Sequence, residues 1–267
     1  MRIPEYSDSW LRSWKESYHY DLLEVGNTNI NKGYQYAYEQ RFNTIVGFVE
    51  KYIPVGGVVL DIAAAQGNFT LKLAEKGYTV YWNDLREELI DYVKLKWEFG
   101  SVDFIAGNIF ELEQQLQVDG VLITEIIEHV AHPDVFLKRV SSFVKPGGFI
   151  FMSTPLGSYF LNKLPRFSDC IDPSVYEAKQ FMPNADGHIF LLHQDEISII
   201  SQKAGLRLVD EKMYSNFLTS GHFGTHGLLK LLPKSLISRF ESFTQNLGIS
   251  IRRKIHSNIS VVLHKTA

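Results

Sequence analysis

The sequence predicts a doubly wound α/β protein whose seven-stranded, mostly parallel sheet carries helices on both faces. From about residue 56 to 153, short β-branched runs alternate with segments that carry apolar residues at helical intervals. Strands that are separated by helices pair in parallel through right-handed crossovers. Two further strand patterns near the end of the chain complete a Rossmann-like arrangement of seven strands.

Five runs rich in β-branched and aromatic residues predict the first five strands. They are Val58–Ile62, Thr79–Trp82, Val102–Ile105, Val118–Thr124 and Phe149–Ser153. The predicted helices of this region and beyond are Phe69–Lys76, Arg86–Phe99, Pro133–Val144 and Gln194–Ala204. The last two strands are predicted near Leu206–Met213 and Ile259–His264. A turn is predicted at KPGG, residues 145–148, before the fifth strand.

The same patterns divide the chain into a core and three additions. The ranges are 51–214 and 258–267 for the core, 154–190 for a long excursion, 1–50 for a helical lead-in or lid, and 215–257 for a helical cap insertion. The excursion is rich in Pro, Gly and aromatic residues, which is typical of a functional loop. In the insertion, Pro233 interrupts the apolar stripe and favours two short helices. These helices either cap the carboxyl ends of the strands or rest on an anionic lipid surface.

Composition and charge argue against several classes of function. The 267 residues include 27 Lys and Arg and 30 Asp and Glu, so the formal net charge of −3 lacks the basic excess of a general nucleic-acid binder. The single cysteine, Cys170, forms no internal disulfide. The start of the chain has no long apolar segment, and no apolar run approaches the roughly 18–20 residues that span a bilayer. We expect a cytoplasmic protein without a transmembrane helix.

An acidic residue and a run of small residues follow the first predicted strand. Asp61 ends this strand, and Ala63, Ala65 and Gly67 precede the next helix. Small side chains let the backbone approach a ligand at the carboxyl end of the sheet, where doubly wound folds bind their ligands. Asp84 ends the second strand, and a carboxylate there can accept hydrogen bonds from both hydroxyls of a ribose. The pattern predicts a nucleotide-binding βαβ unit.

These positions resemble the motifs of the class I S-adenosylmethionine-dependent methyltransferases over about residues 45–155. In the family's first motif, acidic–x–Gly–x–Gly–x–Gly, this chain has alanine in place of two glycines. Further matches, in order and spacing, are Asp84–Leu85 for ribose, Gly107–Ile109 for adenine, ITEIIEHV after the fourth strand and KPGG before the fifth. The resemblance implies S-adenosylmethionine as cofactor and assigns its binding to Asp61, Ala63, Ala65, Gly67, Asp84, Leu85, Asn108, Ile109 and Glu125.

Two other interpretations of the same pattern stay open. One is an NAD-dependent oxidoreductase, although AAAQGN lacks the third glycine of the G-x-G-x-x-G fingerprint. The other is a non-catalytic binding protein with a degenerate methyltransferase fold. This chain retains the acidic residues and the histidine of the family motifs, which argues against lost cofactor binding. They are Asp61, Asp84, Glu125, Glu128 and His129.

Two acids and a histidine follow the fourth predicted strand. Glu125, Glu128 and His129 occupy positions i, i+3 and i+4, so one helical turn would place them on one face. Such ligands suit Mg²⁺ or Mn²⁺, and a second imidazole would also accept Zn²⁺. The E-x-x-E-H sequence resembles ubiquinone-biosynthesis O-methyltransferases and Hen-type small-RNA 2′-O-methyltransferases, in which it binds a divalent ion. The latter resemblance implies His188 as a further ligand, with His193 as second choice.

The predicted reaction is methyl transfer to a hydroxyl of a small molecule or carbohydrate, with no nucleic-acid partner. Glu128 and His129 are the predicted catalytic residues. In a metal-free alternative His129 is the general base, Glu125 only faces the cofactor and Glu128 is solvent-exposed. Arg41 either holds the carboxylate of the cofactor or forms a surface salt bridge. The additions outside the sheet are expected to choose the acceptor.

Overall fold

The computed structural model describes residues 1–26, 30–112, 116–180, 187–220 and 224–266. Within these ranges seven strands form one sheet in the order β3-β2-β1-β4-β5-β7-β6. The strands are β1 Val58–Ile62, β2 Thr79–Asp84, β3 Ser101–Ala106, β4 Val118–Thr124, β5 Val144–Pro155, β6 Leu206–Asn216 and β7 His256–Lys265. The first five pair in parallel, and β7 runs antiparallel between β5 and β6. The predicted fold class is confirmed.

The helices surround this sheet much as the periodicity predicts. They are α1 Arg12–Glu24, α2 Lys32–Tyr52, α3 Asn68–Glu75, α4 Leu89–Lys96, α5 Pro133–Ser141, α6 Gln194–Lys203, α7 His226–Leu231, α8 Lys234–Gln245 and α9 Ile249–Ile255. Pro233 separates α7 from α8, as predicted. The helix predicted to begin at Arg86 begins at Leu89 instead, because the Arg86 N–H donates to the Asp84 carboxylate at 2.9 Å and holds the chain in a turn.

Two hydrophobic clusters cover the two faces of the sheet. Leu60 and Ile62 of β1 belong to the cluster that includes α5 and α6, whereas Val59 belongs to the cluster that includes α2, α3 and α4. This alternation follows because successive side chains of a strand point to opposite faces. The sheet is therefore buried on both sides, and the prediction of helices on both faces is confirmed.

The KPGG segment differs from its prediction, because it lies inside β5 rather than before it. Val144 pairs with Val118, and the next pair is Phe149 with Gly120, so residues 145–148 bulge out of the ladder. Gly147 has φ +80°, which glycine adopts more readily than residues with a Cβ. A bulge inserts residues into a strand without ending it, so the strand starts five residues earlier than predicted.

The carboxyl ends of β1 and β4 lie side by side at the centre of the sheet, with Ile62 paired to Ile123. The strand order reverses here, and doubly wound folds bind ligands at such a switch point. The excursion reaches this edge, where the Ile189 N–H donates to the Glu128 carbonyl at 2.7 Å. The insertion also leaves and rejoins the sheet at this edge, because Asn258 of β7 pairs with residues at the ends of both β5 and β6. Both additions can therefore shape a site at the switch point.

Candidate active site

The loop after β1 adopts a glycine-like conformation although it contains alanines. Ala63 has φ +53° and Ala65 has φ +47°, in the left-handed region that residues with a Cβ seldom occupy. Gly67 has φ +72°, and a Cβ there would come within 2.9 Å of the Val93 side chain. The Ala64 N–H donates to the Asn83 carbonyl at 2.8 Å and ties the loop to β2. The loop thus takes a shape that glycine normally supplies.

Asp84 lies at the end of β2, facing this loop. Its buried carboxylate accepts from the Ala65 N–H at 2.9 Å and from the Arg86 side chain at 3.0 and 3.1 Å. The loop and the acid predicted to bind ribose are therefore joined directly. The arginine partner was not predicted, and a ligand hydroxyl at Asp84 would share the carboxylate with it.

Two cavities meet at Ala63, which lines both. The first, of about 330 Å³, has mainly apolar walls and includes three predicted cofactor residues, Leu85, Asn108 and Ile109. The second, of about 390 Å³, is lined by the other part of the loop and by charged side chains, among them Arg41 and Glu125. Together they form a crevice with an apolar end and a charged end. Its composition fits a ligand that joins an adenosine to an amino acid.

Asp61 is buried beneath the loop at the end of β1. One carboxylate oxygen accepts from the Thr70 hydroxyl at 2.6 Å, and the other has no hydrogen-bond partner among the described residues. Burial raises the pKa of Asp61 from 3.8 to about 7. An unpartnered buried oxygen is costly, so a donor brought by a ligand would stabilise it.

The raised pKa of Asp61 predicts a specific pH dependence of stability. Between its two pKa values the folded protein holds a proton that the unfolded chain has released. The contribution of Asp61 to the free energy of unfolding should therefore be largest below about pH 4 and fall by about 1.4 kcal/mol per pH unit up to about pH 7. Urea denaturation of the wild type and of Asp61→Asn at pH 5 and pH 7 measures this difference. Parallel pH profiles for the two proteins would contradict the prediction.

Glu125 lies in the charged cavity and pairs with Arg41 of α2. The Arg41 Nη1 to Glu125 Oε2 distance is 2.9 Å, and the Ser153 hydroxyl donates to Glu125 Oε1 at 2.9 Å. Glu125 has φ +56°, and the residues after it, Ile127–His129, form a 3₁₀ turn. This backbone replaces the single helical turn that would have aligned Glu125 with Glu128 and His129. Arg41 is thus bound to an acid inside the crevice, not to one on the open surface.

Glu128, His129 and His188 form a separate group. One ligand atom from each lies within 4.8 Å of the others, and the centroids of the two imidazole rings are 4.8 Å apart. The structure therefore brings together three of the four predicted metal ligands and places Glu125 outside the group. His193, the second choice, caps the N-terminus of α6, and its Nδ1 lies 3.3 Å from Arg166 Nη1 instead.

The carboxyl of Glu128 is fully buried, which excludes the solvent-exposed alternative. Oε2 accepts from the Thr154 hydroxyl at 3.1 Å, whereas Oε1 has no partner within the described part of the chain. Burial, and next the negative charge of Glu125, raise the pKa of Glu128 well above its usual range. A bound cation would neutralise this carboxylate and supply the missing contact.

Comparison with known proteins identifies the family. A family model described as a methyltransferase domain matches residues 34–211. The chain belongs to this methyltransferase family. The predicted class I S-adenosylmethionine-dependent methyltransferase is confirmed, and the match decides against the NAD-dependent alternative. The matched residues extend from α2 to β6, so the family model does not cover the insertion.

Individual relatives agree with this assignment. The ubiquinone biosynthesis O-methyltransferase of Xanthomonas axonopodis pv. citri is 30% identical over 162 residues, which are 59% of this chain and 65% of that protein, less than two thirds of its length. Magnesium protoporphyrin IX methyltransferase of Synechocystis, with bound S-adenosylhomocysteine, superimposes with TM-score 0.58 at 12% identity, covering 95% of this chain and 93% of that one. The 1,6-didemethyltoxoflavin-N1-methyltransferase of Burkholderia thailandensis gives TM-score 0.54 at 15% identity, over 99% and 94%. Both structural likenesses show the fold.

Sequence reasoning missed how the methyltransferase closes the charged end of its crevice. Glu24 of α1 accepts hydrogen bonds from Tyr34 at 2.9 Å, from Gln66 at 2.7 Å and from Asn68 at 3.0 Å. Burial raises the pKa of Glu24. The lead-in helices thus bind directly to the loop after β1. The only signal in the sequence is a pair of acids, Asp21 and Glu24, spaced to share one face of a helix.

A buried ion pair completes this closure. The ammonium of Lys96, at the end of α4, donates to Asp21 at 2.7 Å, to the Gln66 carbonyl at 2.8 Å and to Asn68 at 2.6 Å. The side chains of Lys96 and Asp21 are both fully buried. Tyr92 donates to the other Asp21 oxygen at 2.7 Å. Lys96 therefore connects α1, α4 and the loop through one charged group.

Proposed function

We propose that this methyltransferase moves the methyl group of S-adenosylmethionine to a hydroxyl oxygen of a small molecule, sugars included. The observation that carries the proposal is the group of Glu128, His129 and His188 at the edge that also holds the crevice. Such a group can accept the proton that a hydroxyl must lose. The curated relatives, whose names describe O-methyltransferases of ubiquinone biosynthesis, support the same chemistry.

We propose that different residues of the crevice bind different parts of the cofactor. Leu85, Asn108 and Ile109 in the apolar cavity suit the adenine, and Asp84 suits the ribose. In the charged cavity, Arg41 suits the carboxylate of the methionine part, and Glu125 holds Arg41 in place. The remaining proposed cofactor-binding residues come from the end of β1 and the loop after it. They are Asp61, Ala63, Ala65 and Gly67.

Replacement of Asp84 by alanine is expected to weaken S-adenosylmethionine binding by roughly 1.5–3 kcal/mol, because charge-assisted hydrogen bonds to the ribose are lost. Isothermal titration calorimetry measures the change. Asp103→Ala, an exposed acid on the neighbouring strand β3, is the matched control and should bind like the wild type. An unchanged affinity of the Asp84 variant would remove the ribose role from this residue.

The reaction requires the acceptor oxygen to form a bond with the methyl carbon as the bond from that carbon to sulfur breaks. The sulfonium is already activated, so alignment of the oxygen supplies much of the rate. The hydroxyl proton passes to His129, because histidine is the side chain type most often used as a general base. The positive charge of the resulting imidazolium favours the ionised form of the Glu128 carboxyl beside it, and that carboxylate in turn stabilises the imidazolium. S-adenosylhomocysteine and the methyl ether are the products.

The same three residues suit a divalent metal. Among the described residues, one buried oxygen of Glu128 has no partner. One carboxylate oxygen of Glu128 and one nitrogen each of His129 and His188 lie within 4.8 Å of one another. Oxygen and imidazole ligands accept Mg²⁺, Mn²⁺ or Zn²⁺, of which we propose Mg²⁺ or Mn²⁺. A bound ion would make a coordinated hydroxyl more acidic. Glu125 is held by Arg41, so we propose three protein ligands, not four.

Removal of His188 is expected to weaken Mn²⁺ binding at least about tenfold, because the loss of one ligand or its support typically costs that much in affinity. Electron paramagnetic resonance of free Mn²⁺ during a titration measures binding without any assay of activity. His193→Ala is the control and should bind Mn²⁺ like the wild type. Equal affinities of wild type and His188→Ala would contradict the proposed ligand set.

The function itself is tested by incubating the protein with S-adenosylmethionine and a panel of catechols, simple phenols and sugars. Formation of S-adenosylhomocysteine together with an O-methylated product is the expected result. Product methylated only on nitrogen or carbon would overturn the proposal. Cofactor binding without turnover of any acceptor would favour the non-catalytic binding protein instead.

A further inference from the structure

Charge is unevenly distributed between the insertion and the remainder of the chain. Residues 217–255, between β6 and β7, contain six of the 27 Lys and Arg residues but only one of the 30 acidic residues. That acid, Glu241, is buried. The insertion is therefore a positively charged surface on a protein whose formal net charge is −3.

The single acid of the insertion has a structural role. Glu241 accepts hydrogen bonds from the Ser215 N–H, the Asn216 amide and the Thr219 hydroxyl, each at 2.8 Å. These bonds satisfy polar groups at the end of β6. Its carboxylate is thus engaged in fixing the insertion to the sheet and does not offset the basic side chains outside.

Large apolar side chains are exposed beside these basic residues. On α7, Leu228 is 48% and Leu231 is 84% exposed, three positions apart on one face. On α8, Leu236 and Phe243 are 50% and 61% exposed and share a face with Arg239. We call the exposed apolar and basic side chains of α7, α8 and α9 the insertion surface. Leu229 of α7 and Ile237 of α8 are buried, so these helices pack through one apolar side and leave other large apolar side chains exposed.

The insertion surface continues into the excursion. The Phe160 N–H donates to the Lys254 carbonyl at 3.0 Å, and the Ser158 hydroxyl donates to the Arg253 carbonyl at 2.9 Å. Phe160 is 51% exposed. An outward aromatic ring therefore lies next to two basic residues of α9, which repeats the mixture seen on α7 and α8.

We propose that the insertion surface binds bilayers that contain anionic phospholipid. Outward leucine and phenylalanine side chains enter the boundary between headgroups and acyl chains, while neighbouring Lys and Arg attract the anionic headgroups. Lys230, Arg239, Arg253 and Lys254 form no ion pair with any described residue, so their charges are available to lipid. Aliphatic side chains gain little from a phosphate backbone, which favours lipid over nucleic acid.

The location gives this binding a use. The insertion leaves and rejoins the sheet at the edge that holds the crevice, so a membrane bound to the insertion surface lies near this edge. Within the described ranges no helix is long and apolar enough to cross a bilayer. The contact we propose is peripheral, and it holds whatever the acceptor and the reaction are.

Vesicle flotation tests the proposal with the full chain. The protein should float with vesicles of phosphatidylcholine and phosphatidylglycerol but not with phosphatidylcholine alone, and added salt should weaken the binding. Leu228→Gln with Leu231→Gln, and separately Arg253→Gln with Lys254→Gln, should each reduce binding at least about tenfold. The matched controls are Val55→Gln, which is 74% exposed before β1, and Lys203→Gln at the exposed end of α6. Both controls should float like the wild type.

Four results would overturn the proposal. The first is no flotation with either vesicle, and the second is flotation that both double variants leave unchanged. The third is sedimentation that shows self-association through Leu228 and Leu231. The fourth is tighter binding to single-stranded RNA than to anionic vesicles at the same salt concentration. Circular dichroism of the variants confirms that each is folded before binding is compared.

Discussion

Replacement of His129 by alanine is expected to lower the rate of methyl transfer by a factor of about 10²–10⁴, the usual contribution of a positioned general base. Affinity for S-adenosylmethionine should change little, because His129 groups with Glu128 and His188 and lines neither cavity of the crevice. Formation of S-adenosylhomocysteine with the acceptor found in the panel measures the rate. Calorimetry measures the affinity.

The control for this variant is His19→Ala, an exposed histidine on α1 that should retain full activity. Full activity of His129→Ala would show that the residue takes no part in the reaction. A loss of cofactor affinity equal to the loss of rate would show a role in binding instead.

The chelator EDTA distinguishes the metal-assisted mechanism from the metal-free one. If the wild type is fully active in EDTA and His129→Ala is inactive, the imidazole alone removes the proton and the metal-assisted mechanism is wrong.

Replacement of Lys96 by methionine is expected to destabilise the protein by about 3–5 kcal/mol, because it leaves the Asp21 carboxylate buried without its cation. Gln66 and Asn68 lose the same donor, so the loop after β1 should loosen and cofactor affinity should fall as well. Urea denaturation measures the free energy of unfolding, and calorimetry measures the affinity.

Two further variants make the Lys96 result specific. Lys94→Met changes a half-exposed lysine on the same helix and should alter stability by no more than about 0.5 kcal/mol. Asp21→Asn combined with Lys96→Met removes both charges and should recover part of the lost stability. If Lys96→Met is no less stable than Lys94→Met, the buried pair contributes nothing to the fold.

The strands could be predicted well where their burial is decided locally. The limits of β1 and β4 match the prediction to the residue, because both are short apolar runs in the centre of the sheet. The strand β6 extends to Asn216, three residues past its predicted end. Those last residues are polar, and their burial depends on Glu241 of α8, a partner that no local pattern reveals.

The site could be predicted only in part, for a similar reason. Asp61 is the next-to-last residue of β1 and Asp84 is the last residue of β2, so the strand pattern alone places both at the carboxyl edge. The position of Glu125 depends on a left-handed backbone turn and on Arg41, which comes from α2 far earlier in the chain. Spacing along the sequence assumes a regular helix, and it fails where a distant partner selects another backbone.

The two left-handed alanines bear on how such proteins diverge. A conformation that costs each L residue roughly 1–2 kcal/mol is retained here, because the chain around it is tied to β2 by the Ala64 N–H and by the Trp82 indole, which donates to the Ala65 carbonyl at 3.1 Å. Contacts with neighbouring residues thus hold the conformation of this loop. Glycine at positions 63 and 65 would lower the conformational strain but is not required for the conformation. The glycines of this motif can therefore be replaced while the crevice that the loop lines keeps its shape.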